Sequence, residues 1–271
     1  GDRGIVAGGQ MPAGGATNVI DYFSIATTGN ATDFGDIWGL RANTAGCSDG
    51  TRGLIAGGFT NTINYITTAT TGNSSDFGDL TRSTGQFGSA SDGTYGLWAG
   101  GGNNTEIQYV TVQTTGNAAD FGDLTYAGYA ACGVSNGTNG FFAGGYSGGA
   151  INNIDTVVFA TPSNATDFGD LTAARYSSQG CSDSTRAVIG GGYGFLSTID
   201  YFTMSTAGNA SDFGDPSFNR YNSASSSDGT YGTWAGGMVN SSSTTNNVID
   251  YVTIQTTGNA TDFGDLTQAR Y

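Results

Sequence analysis

Histidine and lysine are absent from this chain of 271 residues, and a single glutamate, Glu106, accompanies twenty-one aspartates. Without histidine, the commonest general base and the commonest zinc ligand are both missing. All eight basic residues are arginines and the formal charge is −14, which repels phosphate backbones and anionic lipid. Nucleic acid and membrane surfaces are therefore not expected partners. No apolar run approaches the roughly 20 residues of a spanning helix, and no signal-peptide pattern opens the chain. Because the first residue is Gly1 rather than Met, a processed or partial polypeptide is expected. Proline and cysteine are scarce, at 3 residues each. What is present is glycine, 47 residues of it, with 37% hydrophobic and 12% aromatic residues, enough to bury a core but poor in helix formers.

Self-similarity organises the rest. The tetrapeptide DFGD recurs six times, at 33–36, 76–79, 120–123, 167–170, 212–215 and 262–265. A glycine pair ending an apolar run recurs with its second member at Gly9, Gly58, Gly101, Gly145, Gly192 and Gly237. From each DFGD phenylalanine to the next such glycine the distance is always 24 residues (34 to 58, 77 to 101, 121 to 145, 168 to 192, 213 to 237). All length variation falls just after the glycine pair, in loops of 9, 3, 4, 7, 5 and 10 residues, so the repeat is a rigid unit with one adjustable loop.

Each unit reads as four short strands. Strand A is small-residue sequence such as "AGCSD" (45–49), ending in the turn signal SDGT. Strand B is a continuous apolar run such as "RGLIAGG" (52–58), as a strand covered on both faces requires. Strand C alternates, as in "TINYITT" (62–68) and "VIDYVTI" (248–254). A "TTGN" turn then leads into strand D, the short DFGDLT segment. Four antiparallel strands repeated at this spacing indicate an all-β fold, a single six-bladed β-propeller over residues 1–271.

The glycine pair ending strand B, the strand C tyrosines (Tyr22, Tyr65, Tyr109, Tyr201, Tyr251) and the aromatic residue opening strand D, followed by an arginine, resemble kelch repeats. Two positions depart from that pattern: phenylalanine stands where kelch repeats usually carry tryptophan, and Thr156 replaces the tyrosine of the fourth repeat. The wording "TTGNATDFGDLT…GCSDGTRG…AGG" also resembles kelch-like repeat proteins of tailed bacteriophages. That resemblance implies a virion or tail-fibre component, localised to the virion or outside the cell, with other virion or fibre proteins as partners and homo-oligomerisation open.

Between Phe263 and Gly9 the chain supplies 17 of the 24 residues that the unit demands, and the gap aligns with "NTAGCSD" (43–49), one whole strand A. Three outcomes are open: the strand lies in adjoining chain, the first blade is three-stranded, or more blades exist.

Twenty of the aspartates fall in repeat slots: the DFGD pairs, the SD turns, and Asp21, Asp155, Asp200 and Asp250 of strand C. Those in SDGT suit turns, where aspartate accepts from backbone N–H groups two residues on. The second DFGD aspartate precedes an arginine in five repeats (Asp36/Arg41, Asp79/Arg82, Asp170/Arg175, Asp215/Arg220, Asp265/Arg270), and pairing among these is expected, with one strongly acidic face. Calcium needs about six to eight converging oxygens, which D-x-x-D does not supply, so no metal and no cofactor are expected. A kinase reading of DFG lacks the lysine and the HRD motif that it requires. Asparagine sequons at Asn30, Asn73, Asn103, Asn136, Asn164, Asn209, Asn240 and Asn259 read as turn chemistry in a bacterial or viral protein, or as a glycan array in a eukaryotic secreted one. Cys47, Cys132 and Cys181 all lie in strand A and are expected to be buried free thiols.

In a propeller the B–C and D–A connections share one face, so length variation in the B–C loops concentrates diversity there, as binding surfaces on rigid scaffolds often do. The residues expected to bind are Phe59, Asn61, Asn103, Asn104, Tyr146, Tyr193, Phe195, Asn246 and Asn247. Flat rings and neutral amides suit sugars, so the leading expectation is a non-enzymatic binding and structural module contacting a host-surface glycan or another virion protein. An intracellular protein-interaction propeller is the alternative. A glycan-active or copper-radical enzyme would lack histidine for copper, and its loops carry no carboxylate beyond Glu106 at the edge of one.

Overall fold

A computed structural model describes residues 2–194, 196–239 and 244–271, and within them the chain is all-β with no helix. Blade 1 comprises β1 (Arg3–Ala7), β2 (Thr17–Ser24) and β3 (Thr32–Arg41). Blade 2 comprises β4 (Thr44–Ser48), β5 (Arg52–Gly57), β6 (Thr60–Thr67) and β7 (Ser75–Thr84). Blade 3 runs through β8 (Gly88–Ser91), β9 (Tyr95–Ala99), β10 (Asn104–Thr111) and β11 (Ala119–Gly128). Blade 4 is β12 (Cys132–Ser135), β13 (Asn139–Ala143), β14 (Asn153–Val158) and β15 (Thr166–Asp170). Blade 5 is β16 (Gln179–Ser182), β17 (Arg186–Gly190), β18 (Ile199–Thr203) and β19 (Ser211–Gly214). Blade 6 is β20 (Ala224–Ser227), β21 (Tyr231–Ala235), β22 (Val248–Thr253) and β23 (Thr261–Asp265). Five sheets are four-stranded antiparallel meanders; the first has three strands, with no strand A among the described residues.

The core lies between blades. Strand D of one blade packs on strands B and C of the next, as when Phe168 and Leu171 meet Phe202 and Met204. At the seam that closes the ring, Phe263 and Leu266 of blade 6 pack with Val6, Phe23 and Ile25 of blade 1. Every DFGD phenylalanine is at most 8% exposed. Five of them stand edge-on to the strand C tyrosine of their own blade, with centroids 5.5–6.2 Å apart. In blade 4, where Thr156 replaces the tyrosine, Phe141 from strand B takes over the contact with Phe168 at 4.9 Å.

The rest of DFGD is the blade-to-blade fastening. The phenylalanine carbonyl accepts the glycine N–H of the neighbouring TTGN turn, as in Gly72 to Phe34 and Gly116 to Phe77. The asparagine of that turn accepts the N–H of the second DFGD aspartate at all six junctions, 3.0–3.1 Å, including Asp265 to Asn30 across the closing seam. The DFGD glycine has φ between +144° and +155°, and a Cβ there would overlap the carbonyl of the next blade's turn. Glycine is required for this close approach.

The arginines do not pair with the DFGD aspartates as expected from spacing. They reach past them into the next blade: Arg175 to Asp200 (3.0 Å), Arg220 to Asp250 (2.5 Å) and Arg270 to Asp21 (2.9 Å), all essentially buried, while Arg82 turns to Glu106 (3.1 Å). Strand D bends at the end of the blade, so a residue five positions on lies beneath the neighbouring strand C rather than beside its own aspartate. Strand D is also longer than expected in blades 1–3, ten residues each, because its distal half pairs with an early start of strand C across a β-bulge.

Candidate functional site: a tyrosine arc on the loop face

The two faces separate as propeller geometry requires. On one, Gln113 and Gln255 beyond strand C reach Asp49 and Asp183 of the A–B turns of other blades. Burial works against the ionised form at both aspartates, but hydrogen bonds from the backbone N–H groups of the turn and from these glutamines hold their pKa values below the ordinary carboxylate range.

The other face is built from the D–A connections and the B–C loops. After strand D comes a residue that at four junctions is hydrogen-bonded through its backbone to the first residue of the next B–C loop (Tyr129 with Tyr146, Tyr176 with Tyr193, Tyr221 with Met238, Tyr271 with Gln10), and at five junctions the following residue is in the left-handed region: Asn43, Gln86, Ala130, Ser177 and Asn222, φ +54° to +63°. These five hand backbone hydrogen bonds from blade to blade, Gln86 to Asn43, Ala130 to Gln86, Ser177 to Ala130 and Asn222 to Ser177, at 2.6–3.1 Å. The longest B–C loops are each closed by an isolated antiparallel bridge, Gln10–Ala16, Tyr146–Ala150 and Met238–Thr245.

Along this rim the residue after strand D is Ala42, Gly85, Tyr129, Tyr176, Tyr221 and Tyr271, and the first loop residue is Gln10, Phe59, Gly102, Tyr146, Tyr193 and Met238. The structure joins five of the tyrosines into one arc. Tyr129 and Tyr146 stack at 5.2 Å and 30°, Tyr146 meets Tyr176 edge-on at 5.2 Å, Tyr176 and Tyr193 stack at 4.8 Å and 24°, and Tyr193 meets Tyr221 edge-on at 5.3 Å. Parallel stacking occurs where backbones are hydrogen-bonded, Tyr146 with Tyr129 and Tyr193 with Tyr176. Such bonding sets side chains in register; edge-on contact bridges from one such pair to the next.

The arc is half-buried, with Tyr193 43% exposed and Tyr221 only 8%. Burial and the neighbouring Tyr193, Tyr129, Tyr146 and Tyr221 push the Tyr176 hydroxyl up to about 12, so it stays neutral at physiological pH. The result is an uncharged amphipathic strip on blades 3–6, whereas the corresponding ring positions on blades 1–3 carry Gln10, Ala42, Phe59, Gly85 and Gly102, with Phe59 their single aromatic residue.

Tyr146 and Tyr193, expected from the loops, therefore lie together. Their partners Tyr129, Tyr176 and Tyr221 were missed because the D–A connection does not vary in length; the only available signal was tyrosine after strand D in some repeats and small residues in others. Phe59 (64% exposed, φ +63°), Asn61 and Asn103 are exposed on blades 2 and 3, away from the arc, and Asn104 is half-buried with its side chain accepting the Glu106 N–H at 2.7 Å. Asn246 is committed to architecture, its side chain accepting from Val248 and its carbonyl from Arg270, and the Asn247 carbonyl accepts from Leu266. Phe195 lies outside the described residues.

Two further features were not anticipated. Trp38 (66% exposed) and Leu40 (68%) project from β3. In the other blades the Trp38 position holds threonine or serine bonded to the acid or amide of the next strand C, as Thr172 is to Asp200 and Thr81 to Gln108; here Ser74 supplies that hydroxyl to Asn64 instead, leaving the indole free to face outward. At the centre is a cavity of about 810 Å³ lined by the strand A residues. All three cysteines are free; Cys132 and Cys181 are buried as expected, whereas Cys47 is half-buried. Burial pushes the Cys47 and Cys132 thiols up to about 12, so neither is a nucleophile at neutral pH. Among the described residues, no group of three or more Cys, Asp or Glu side chains is arranged to hold a metal ion. No family model matches the chain, and no curated protein matches it.

Proposed function

We propose that this propeller is a non-enzymatic binding and structural module, part of a virion or an extracellular fibre, whose loop face engages a neutral glycan on a host surface or another virion protein. The propeller scaffold is that of a binding module: a rigid ring presenting variable loops on one face. The observation that carries the reading is the tyrosine arc. Tyrosine rings offer flat apolar faces to the C–H surfaces of a sugar, and their hydroxyls donate and accept without charge. Neutral chemistry matters on a chain of formal charge −14, which disfavours anionic ligands. The kelch-like and phage-like wording of the repeat supplies the setting, and the localisation rests on it.

A protein partner, the basis of the alternative intracellular interaction module, is favoured by one observation, the exposed Trp38 and Leu40 on the side wall. The two readings separate on a glycan array probed with the native chain, with Tyr146→Ala/Tyr193→Ala and with Trp38→Ala. Sugar recognition by the arc requires a signal that falls at least tenfold in the double tyrosine variant and persists in the tryptophan variant. An array without signal, accompanied by a protein interaction that Trp38→Ala weakens, would replace the glycan reading.

A further inference from the structure

Among the described residues, the inner edge of β1 has no strand beside it. In the other five blades strand A pairs with strand B in antiparallel register, as Thr44, Ala45, Gly46, Cys47 and Ser48 do with Gly57, Ala56, Ile55, Leu54 and Gly53. Their counterparts in β1 are Gly8, Ala7, Val6, Ile5 and Gly4, and among the described residues no strand lies beside them. The consequence shows in burial: β9, β13, β17 and β21 are buried at four consecutive positions, whereas Ile5 and Ala7 are only half-buried and face the central cavity.

The rim records the same opening. The chain of left-handed residues runs from Asn222 back to Asn43, and among the described residues no link joins those two ends. Tyr271 and Gln10 exchange backbone hydrogen bonds at 2.6 and 3.1 Å, as Tyr221 and Met238 do where the chain turns inward to β20. The mouth of the opening is thus already shaped like the mouth above a strand A.

We propose that this edge is a strand-acceptor site, which takes an extended peptide segment of the strand A type antiparallel to β1. The five resident strands specify the ligand. The position opposite Val6 corresponds to Gly46, Ser89, Gly133, Gly180 and Ser225, glycine or serine every time. A Cβ on Gly133 would overlap the Ser89 carbonyl of the neighbouring strand, so the convergence of strands on the axis excludes anything larger. The position opposite Gly4 corresponds to Ser48, Ser91, Ser135, Ser182 and Ser227, always serine. Two of these donate to the preceding strand A, Ser182 to the Ser135 carbonyl and Ser227 to that of Ser182, both at 2.8 Å. A serine there in the ligand would reach the Ser227 carbonyl. Recognition is by backbone pairing for affinity and by exclusion of side-chain bulk for specificity, the logic of strand addition at a sheet edge.

The test uses the chain as it stands and a capped heptapeptide of residues 43–49 with Cys47→Ser. Hydrogen exchange should slow at least tenfold in β1 at saturating peptide, and melting should rise with peptide concentration. The same peptide with Gly46→Phe should do neither. A second arm places the seven residues directly after Tyr271, which raises the local concentration, and should protect β1 without added peptide. Protection in either arm that Gly46→Phe abolishes supports the site. No protection in both arms, or equal protection by the phenylalanine version, overturns it.

Discussion

At the scale of single residues, one slot in strand C shows how the repeat handles buried charge. Asp200, Asp250 and Asp21 each face an arginine from the preceding blade. At the blade 2–3 junction the slot holds neutral Gln108 where the preceding blade has Thr84 in place of arginine. Two junctions depart from this matching: neutral Asn64 follows a blade that carries the buried Arg41, whose guanidinium donates to the Thr62 carbonyl, and Asp155 follows a blade without the arginine. The partner of Asp155 is Thr125, and the arginine's place is taken by Tyr126, whose hydroxyl donates to the Gly144 carbonyl at 2.7 Å. Burial, opposed by the Thr125 hydrogen bonds and aided by Asp167, raises the Asp155 pKa. Because the folded-state value lies above the unfolded one, the folded state binds the extra proton, and stability declines as pH rises from the ordinary carboxylate value through the raised one. Asp155→Asn should therefore hold or gain stability at pH 7 and flatten that decline. Asp200→Ala, which strands a buried guanidinium, should lose about 3–5 kcal/mol. Urea melts of both variants at several pH values check the pair. Equal losses would mean that the charge in this slot is not what matters.

At the scale of elements, DFGD and TTGN are two halves of one joint. Each was legible as a repeated mark, and the phenylalanine as a core position, because periodicity is carried in one dimension. That the glycine and the asparagine meet across blades was not legible, since the partners lie about forty residues apart in the chain and only closure of the sheets brings them together. Gly78→Ala is expected to cost more than 2 kcal/mol, about the scale of left-handed strain plus displacement of the Gly116 carbonyl that a Cβ would overlap. Asn117→Ala should cost about 1 kcal/mol, the loss of a single hydrogen bond to the Asp79 N–H. Thermal denaturation should rank the two in that order. The DFGD–arginine spacing misled for the same reason: proximity in sequence put Asp170 beside Arg175, whereas the bend at the end of strand D delivers that arginine to Asp200.

At the scale of the molecule, the ring closes through blade 6 onto blade 1, with Arg270 on Asp21, Asp265 on Asn30 and Phe263 against Phe23 at 5.3 Å. Closure holds the DFGD aspartates of all six blades together on one molecule of formal charge −14, and self-repulsion opposes it. Added salt should therefore raise the melting temperature between low ionic strength and about 0.5 M, because exposed repulsion is screened while the buried arginine pairs are screened much less. A melting temperature that falls with salt would show that exposed attractions outweigh the repulsion.

The amino-acid sequence by itself determined the number of blades, the strand order, the position of the variable loops and the shortfall of one strand A, all of which follow from counting along a periodic chain. Only the tertiary structure decided which loop residues meet. Tyr146 and Tyr193 were visible as loop aromatics, but their union with Tyr129, Tyr176 and Tyr221 depends on the D–A connection of one blade lying against the B–C loop of the next. It also decided that Asn246 serves the backbone and that Trp38 faces outward. Repetition fixes what each blade shares; contacts between unlike copies arise only when the ring is closed in space.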